Sequence, residues 1–149
     1  MALIFQGGLK MGASDFSLEG KIALVTGGGR GIGAGIAASL AKAGADVVIA
    51  DYTSELADEG AAAITDLGRR TLALKVDVRK PDSVNQMVDA IEGEFSRLDI
   101  AVNNAGIVSL GGIDELTYDQ WNDVLDVNLR GVRSEWLSLG KAPPYPCRP

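Results

Sequence analysis

The sequence predicts an α/β protein with a doubly wound parallel sheet, and three observations support that fold class. Short apolar runs alternate with longer segments whose apolar residues recur every three or four positions, as in strand–helix units. The run Val47-Val48-Ile49 is apolar at consecutive positions, which is typical of a strand covered on both faces. A glycine-rich turn over residues 26–33 joins the first apolar run directly to a helical segment. Together these features indicate crossover connections with helices on both faces of a Rossmann-like sheet.

Four strands with intervening helices are expected along the chain. The strands are predicted at residues 21–26, 46–51, 71–76 and 99–104. The first three helices are predicted at residues 31–43, at residues 54–67 and from Pro81 through a stripe that ends at Phe95. Thr53 or Ser54 is expected to cap the second helix, while Gly44 and Gly68 fall where helix-terminating glycines are expected.

A last helical region is predicted after the fourth strand. Thr117 and Gln120 have the spacing of a capping box at its start. In the first helix, Ile32, Ile36 and Leu40 recur at helical spacing. In the last helical region, apolar residues recur at the same spacing and form a late apolar stripe. The members of the late stripe are Trp121, Val124, Leu125, Leu129, Val132 and Trp136.

Composition limits the class of function. The chain has 149 residues, of which 46% are hydrophobic and 23% charged, as expected for one globular domain. Its net charge of −6 argues against a non-specific nucleic-acid or anionic-membrane partner, and no apolar run approaches a membrane span. One cysteine, Cys147, permits no internal disulfide and favours a reducing cytoplasm. The absence of histidine excludes Ser-His-Asp triads and imidazole metal sites, so no metal is expected.

The turn over residues 26–33, Thr-Gly-Gly-Gly-Arg-Gly-Ile-Gly, is expected to hold a pyrophosphate. Glycines let the backbone approach the anion, and the helix N-terminus directs N–H groups and partial positive charge at it. The glycine pattern is weak evidence alone, but a predicted strand before it and a helix after it strengthen it. The alternative is a tight turn that needs glycine only for its geometry. A Walker-type nucleotide site is disfavoured because no Gly-Lys-Ser/Thr follows.

Asp51, at the end of the second strand, bears on the choice of dinucleotide. A carboxylate there accepts hydrogen bonds from the adenine-ribose hydroxyls and repels a 2′-phosphate, which favours NAD over NADP. Arg30 has the opposite tendency, because a guanidinium beside the turn can pair with a 2′-phosphate. NAD is therefore the expected cofactor and NADP the less favoured one. The alternative for Asp51 is a solvated charge at a strand end.

Four motifs in this order resemble the short-chain dehydrogenase/reductase family over roughly residues 17–132. They are Thr26-Gly27-x-x-x-Gly31-x-Gly33, Asp77-Val78, Asn103-Asn104-Ala105-Gly106 and Asp126-Val127-Asn128-Leu129-x-Gly131. The resemblance implies an NAD(P)-dependent oxidoreductase that interconverts a small-molecule alcohol and a carbonyl by hydride transfer, usually as a homo-oligomer. It also implies which residues contact the cofactor: Thr26, Gly27, Arg30, Gly31, Ile32, Gly33, Asp51, Asp77, Val78, Asn104, Ala105 and Gly106.

Asn128 matches the family's catalytic asparagine, which holds a water that connects the catalytic lysine to solvent. It also lies on the predicted apolar stripe, where a buried amide must find partners. A core asparagine bonded to nearby backbone is the alternative, and both interpretations can hold together.

The family's serine, tyrosine and lysine are absent from the matching positions, because the resemblance ends after Val132. The family places a lysine four residues after its tyrosine to lower the tyrosine pKa. At that distance Tyr52, Tyr118 and Tyr145 are followed by Leu56, Asn122 and Pro149. We therefore expect a C-terminally truncated chain that is catalytically incomplete on its own. Ser138 and Lys141 match no motif of the family and receive no catalytic role.

Several expectations follow from this interpretation. Residues 1–16 are predicted to be a disordered extension, residues 17–139 a partial dinucleotide-binding domain and residues 140–149 a disordered proline-rich tail. The fourth strand is expected to form an exposed sheet edge, which predicts marginal stability and self-association. The alternative functions are a non-catalytic NAD-binding half-domain, which could regulate a full-length relative, and a non-functional truncated product. A 3-ketoacyl reductase is the alternative activity.

Overall fold

A computed structural model describes residues 16–112 and 114–139 of the chain. The predicted tail and nearly all of the predicted N-terminal extension lie outside these residues. Along the described chain the strands are β1 (Ile22–Thr26), β2 (Asp46–Asp51), β3 (Thr71–Lys75) and β4 (Ile100–Val102). The helices are α1 (Gly31–Lys42), α2 (Ser54–Asp66), α3 (Pro81–Phe95), α4 (Tyr118–Leu125) and α5 (Val132–Leu139), with a π-helical segment (Asp126–Gly131) between the last two.

The four strands form one parallel sheet in the order β3-β2-β1-β4. Successive residues of β1 and β2 face opposite sides, and both sides are covered. One apolar cluster joins Leu24 and Val48 to α3, and the other joins Val25 and Ile49 to α1 and α2. The predicted fold class is therefore confirmed, and β4 lies at an edge of the described sheet as expected.

The predicted helix boundaries follow local hydrogen-bond chemistry. Thr53, not Ser54, caps α2, because its side chain accepts a hydrogen bond from the backbone N–H of Leu56. Thr117 and Gln120 form the predicted capping box at the start of α4, with both reciprocal bonds present. Gly44 follows α1 with φ of +109°, a conformation that favours glycine.

Helix α1 packs on the sheet through a different stripe from the one that its isoleucines suggested. Its buried residues are Gly33, Ala37 and Ala41, whereas Ile32 is 78% exposed. Ile36 is only partly buried against the same cluster. Small side chains let the helix axis approach the sheet closely, so the tight packing uses them and leaves Ile32 at the rim.

The apolar stripe predicted through residues 121–136 is wrong as a continuous α-helical face. The chain forms a π-helical segment over Asp126–Gly131, which turns the residues after it away from the α-helical register. Trp121 is 49% and Leu129 64% exposed, and Asn128 is exposed rather than buried. Val127 is the residue of this segment that packs against the core.

No helix within residues 16–112 and 114–139 is long and apolar enough to cross a membrane. The same residues hold no group of three or more side chains suited to a metal ion.

Candidate functional site

A cavity of about 640 Å³ lies where the four parallel strands end at their carboxyl termini. Such a crevice is where open parallel sheets bind ligands. Every residue predicted to contact a dinucleotide lines it: Thr26, Gly27, Arg30, Gly31, Ile32, Gly33, Asp51, Asp77, Val78, Asn104, Ala105 and Gly106. The sequence interpretation did not include the remaining lining residues, which are Ala50, Tyr52, Thr53, Leu56, Val76, Arg79, Ile107 and Val127.

The glycines of the turn serve two physical purposes. Gly27 and Gly31 have φ of +63° and +56°, which a residue with a Cβ adopts only with strain. Gly29 and Gly33 instead permit close approach: a Cβ on Gly33 would lie 2.0 Å from the Gly27 carbonyl oxygen. A Cβ on Gly29 would lie 2.3 Å from the carbonyl oxygen of Leu56. The turn therefore needs glycine for geometry, and this same geometry brings main-chain atoms to the cavity.

The N-terminus of α1 opens onto the cavity and has no acidic residue in its own first turn. Arg30 occupies the N-cap position in extended conformation, makes no side-chain capping bond, and lines the cavity. The first turn of α1 contains no aspartate or glutamate. The helix end therefore presents partial positive charge to the cavity, together with the positive charge of Arg30.

Thr26 joins the glycine turn to the end of β4. Its side chain is buried, and its hydroxyl oxygen accepts the backbone N–H groups of Asn104 and Ala105, each at 3.2 Å. In return the Asn104 side chain donates from Nδ2 to the carbonyls of Thr26 at 2.9 Å and Gly27 at 3.1 Å. Because these bonds link two segments that line the cavity, the two segments are held in fixed relative positions.

Asp51 has a structural role that the sequence interpretation did not foresee. It is 9% exposed, and its Oδ2 accepts the backbone N–H of Gly29 at 3.0 Å. Its Oδ1 accepts the N–H of Tyr52 at 2.8 Å. Asp51 therefore brings a carboxylate to the cavity and also ties the glycine turn to the end of β2. It is not the freely solvated strand-end charge considered as the alternative.

Arg79 is a lining residue that the motif comparison missed. Its Nε and Nη2 donate to the two oxygens of Asp77 at 2.9 Å and 3.0 Å, and its guanidinium lies 5.5 Å from the Tyr52 ring centroid. The hydrogen bonds from Arg79 lower the pKa of Asp77, although partial burial opposes this, and Asp77 in turn raises the pKa of Arg79. In the sequence, the position of Arg79 two residues after Asp77, a predicted cofactor contact, was the feature that could have identified it as a lining residue.

Asn128 does not line the cavity, but it supports one of its walls. Its Oδ1 accepts the N–H of Ile107, and its Nδ2 donates to the carbonyl of Ile107, both at 2.9 Å. The alternative of an asparagine bonded to nearby backbone therefore describes its contacts, although the side chain is exposed and not part of the core. The carboxamide fixes the backbone just after Gly106.

Comparison with known proteins agrees with this geometry. The short chain dehydrogenase family model matches residues 21–135. Versicolorin reductase 1 of Dothistroma septosporum is 43% identical over 123 residues, which cover 81% of this chain and 46% of that protein. The chain thus spans about half the length of the curated relatives it matches.

Two solved structures share the fold. A short chain dehydrogenase from Burkholderia cenocepacia J2315 in complex with NADP is 46% identical, with a TM-score of 0.78 over 84% of this chain and 51% of that one. NAD+-bound xylitol dehydrogenase is 26% identical, with a TM-score of 0.81 over 84% of this chain and 48% of that one.

The parallel sheet with a glycine turn at its carboxyl edge defines a Rossmann-like α/β domain. The chain belongs to the short-chain dehydrogenase/reductase family, which is a family of oxidoreductases.

Proposed function

We propose that this chain binds NAD(H) in the cavity at the carboxyl edge of the sheet. We also propose that it derives from an oxidoreductase that interconverts an alcohol and a carbonyl. One observation carries the proposal: twelve residues chosen from the sequence, spread over residues 26–106, all line the same cavity of about 640 Å³. The nicotinamide of a bound cofactor supplies the hydride, and the protein supplies binding and orientation.

The residues of the cavity fit an anionic dinucleotide. A Cβ at Gly33 would clash with the Gly27 carbonyl oxygen, so glycine there keeps the start of α1 against the turn, where the first N–H groups of a helix can approach a pyrophosphate. The uncapped N-terminus of α1 and Arg30 provide positive charge on the same side. Asp77 and Val78 would border the adenine, while Asn104, Ala105 and Gly106 would border the part of the cofactor nearer the nicotinamide.

Asp51 supports NAD over NADP. Its carboxylate is largely buried at the cavity wall, where it would repel a 2′-phosphate with little screening by water. Arg30 is the opposing charge, and the relatives with bound cofactor include both an NADP complex and an NAD+ complex. The relative affinity for NAD+ and NADP+ therefore measures which of the two side chains, Asp51 or Arg30, has the larger effect.

Calorimetric titration of the purified chain with NAD+ and NADP+ tests both parts of the proposal. Saturable binding with a preference for NAD+ is expected. Asp51→Asn removes the charge but keeps an oxygen for one of the two backbone N–H groups that Asp51 bonds. It should therefore weaken NAD+ binding and shift the preference toward NADP+ by roughly tenfold. Asp66→Asn on the exposed face of α2 is the matched control, and it should shift nothing.

A second candidate is binding without turnover. None of the three tyrosines in the chain is followed by a lysine four residues later. We therefore propose that these 149 residues on their own bind the dinucleotide in the cytoplasm without oxidising an alcohol. Dinucleotide-dependent oxidation of a panel of secondary alcohols by the purified chain would contradict this. Absence of saturable binding would instead favour a non-functional product, and a clear NADP+ preference would favour descent from a ketoacyl reductase.

A further inference from the structure

Glu135 is an ionisable residue of α5 that no motif singled out. It is 1% exposed, and its Oε2 lies 3.5 Å from Oγ1 of Thr26, the first residue of the glycine turn. A buried carboxyl group is costly unless its oxygens find hydrogen bonds. The contact with Thr26 therefore offsets part of the cost of burying Glu135, and it also connects Glu135 to a residue that lines the cavity.

The Thr26 hydroxyl can form only a few hydrogen bonds, and their number decides whether it donates to Glu135 or accepts from it. A hydroxyl offers one hydrogen and two acceptor lone pairs. Both lone pairs are used, because Oγ1 accepts the N–H groups of Asn104 and Ala105. Its hydrogen must point to one of two acceptors, the Val102 carbonyl at 3.4 Å or Glu135 at 3.5 Å. An ionised carboxylate is the stronger acceptor of the two.

We propose that Glu135 is a positioning residue of the cofactor cavity, which accepts the Thr26 hydroxyl hydrogen and so holds the junction between the glycine turn and the end of β4. The proposal rests on the proposed dinucleotide site for its effect on affinity, but not for its effect on the junction. Protonation of Glu135 would weaken this role, because a neutral carboxyl oxygen is a poorer acceptor of the Thr26 hydrogen than an ionised one.

The protonation state of Glu135 changes near neutral pH. Burial raises the pKa of Glu135 to about 7, although the hydrogen bond from Thr26 opposes the shift. Strands β1 and β4 have no charged residue within their bounds. The charged residues of α3, the π-helical segment and α5 itself are the exposed Asp82, Asp89, Glu92, Glu94, Arg130 and Arg133, and the half-buried Asp126, which pairs with Arg130.

The composition of the chain allows the titration of Glu135 to be measured with little interference from other side chains. The chain has no histidine, so no other side chain ordinarily changes charge between pH 6 and 8. Dinucleotide affinity is expected to fall as pH drops through about 7, since the ionised carboxylate is the stronger acceptor of the Thr26 hydrogen. NAD+ is the suitable probe because it lacks the 2′-phosphate, which titrates near pH 6.

The experiment compares three variants of the full chain with the parent. Glu135→Gln keeps an acceptor oxygen but cannot ionise, and Glu135→Leu removes the acceptor. Ser138→Ala is the control, because Ser138 is a buried residue of the same helix whose hydroxyl bonds Asn85 instead. NAD+ affinity is measured at pH 6 and pH 8, and amide hydrogen exchange is followed in peptides that contain residues 103–106.

The expected results are specific to each variant. The parent should bind NAD+ roughly threefold to fivefold more weakly at pH 6 than at pH 8, and the affinity of the Gln variant should change less than twofold between the two pH values. The Leu variant should bind roughly tenfold more weakly than the parent at pH 8 and exchange the amides of Asn104 and Ala105 faster. Ser138→Ala should match the parent in both measurements.

The two proposals fail in distinguishable ways. If the parent does not bind NAD+ at either pH, the proposed function fails, and hydrogen exchange alone decides the role of Glu135. If the parent binds NAD+ but the Leu variant matches it in affinity and exchange, Glu135 does not position the junction. The same conclusion follows if the Gln variant retains the full pH dependence of the parent.

Discussion

Replacing Gly33 with alanine should separate the geometry of the glycine turn from the general stability of α1. The new Cβ would lie 2.0 Å from the Gly27 carbonyl oxygen and 2.5 Å from Nδ2 of Asn104. Non-bonded heavy atoms need about 3.5 Å, so the helix start must move away from the turn by more than about 1 Å. That movement breaks the bond between Asn104 Nδ2 and the Gly27 carbonyl, which is 3.1 Å long here.

The magnitude follows from these contacts. Overpacking of this kind costs about 1–3 kcal/mol, and the lost hydrogen bond adds about 1 kcal/mol. Domains are typically stable by about 5–15 kcal/mol, so the variant should still fold. Its NAD+ affinity should fall by roughly tenfold to a hundredfold, since the N–H groups of the turn no longer converge on one anion.

Gly35→Ala is the matched control on the same helix. No heavy atom lies within 4 Å of a Cβ at Gly35, and the residue is exposed. Alanine there should stabilise α1 by about 0.5–1 kcal/mol and leave NAD+ affinity unchanged. Urea unfolding followed by tryptophan fluorescence and calorimetric titration with NAD+ measure both quantities. If Gly33→Ala matched Gly35→Ala in stability and affinity, the close contact between the turn and α1 would contribute neither to the free energy of unfolding nor to NAD+ binding.

Three further predictions concern stability and assembly. The pKa of Glu135 rises from 4.5 to about 7 on folding, so the folded chain holds an extra proton between these values. The contribution of Glu135 to the free energy of unfolding should therefore fall by about 3 kcal/mol as pH rises from 4 to 8, and Glu135→Gln should remove that contribution in denaturant titrations at each pH. Val108 and Leu110 are 76% and 88% exposed. Changing both to lysine should reduce self-association in sedimentation velocity, and an unchanged distribution would place the contact elsewhere. Thr117→Ala should cost about 1 kcal/mol by removing the capping box with Gln120, whereas a loss below about 0.3 kcal/mol would mean that the cap is not formed in solution.

Much of the fold could be predicted from local pattern. The period of the apolar residues identified four strands and the helices between them, because burial repeats with the geometry of each element. Helix starts such as Thr117 depend on hydrogen bonds within four residues, so the sequence displays them directly. The cavity was also predictable, since parallel strands end at one edge and bring separate motifs such as Gly33 and Asn104 together.

The late helical region is where local pattern failed. An α-helical period predicted that Asn128 and Leu129 lie on a buried face, but the π-helical segment turns both toward solvent. One additional residue in a turn changes which side chains face the core, and it leaves no trace in hydrophobic spacing. Sequence reasoning therefore identified Asn128 as notable without describing its contact with Ile107.

The sequence by itself determined the fold class and the glycine turn, because these depend on short-range periodicity and on the common direction of parallel strands. Through the resemblance of its motifs to a known family, it also indicated twelve of the residues that line the cavity. Only the tertiary structure decided that Arg79 neutralises Asp77, that Asp51 holds the turn, and that Glu135 lies behind Thr26. Glu135 and Thr26 are 109 positions apart and meet because α5 packs beside α3, which brings Glu135 to the end of β1. Contacts of that kind depend on how elements pack in three dimensions, which no local spacing encodes.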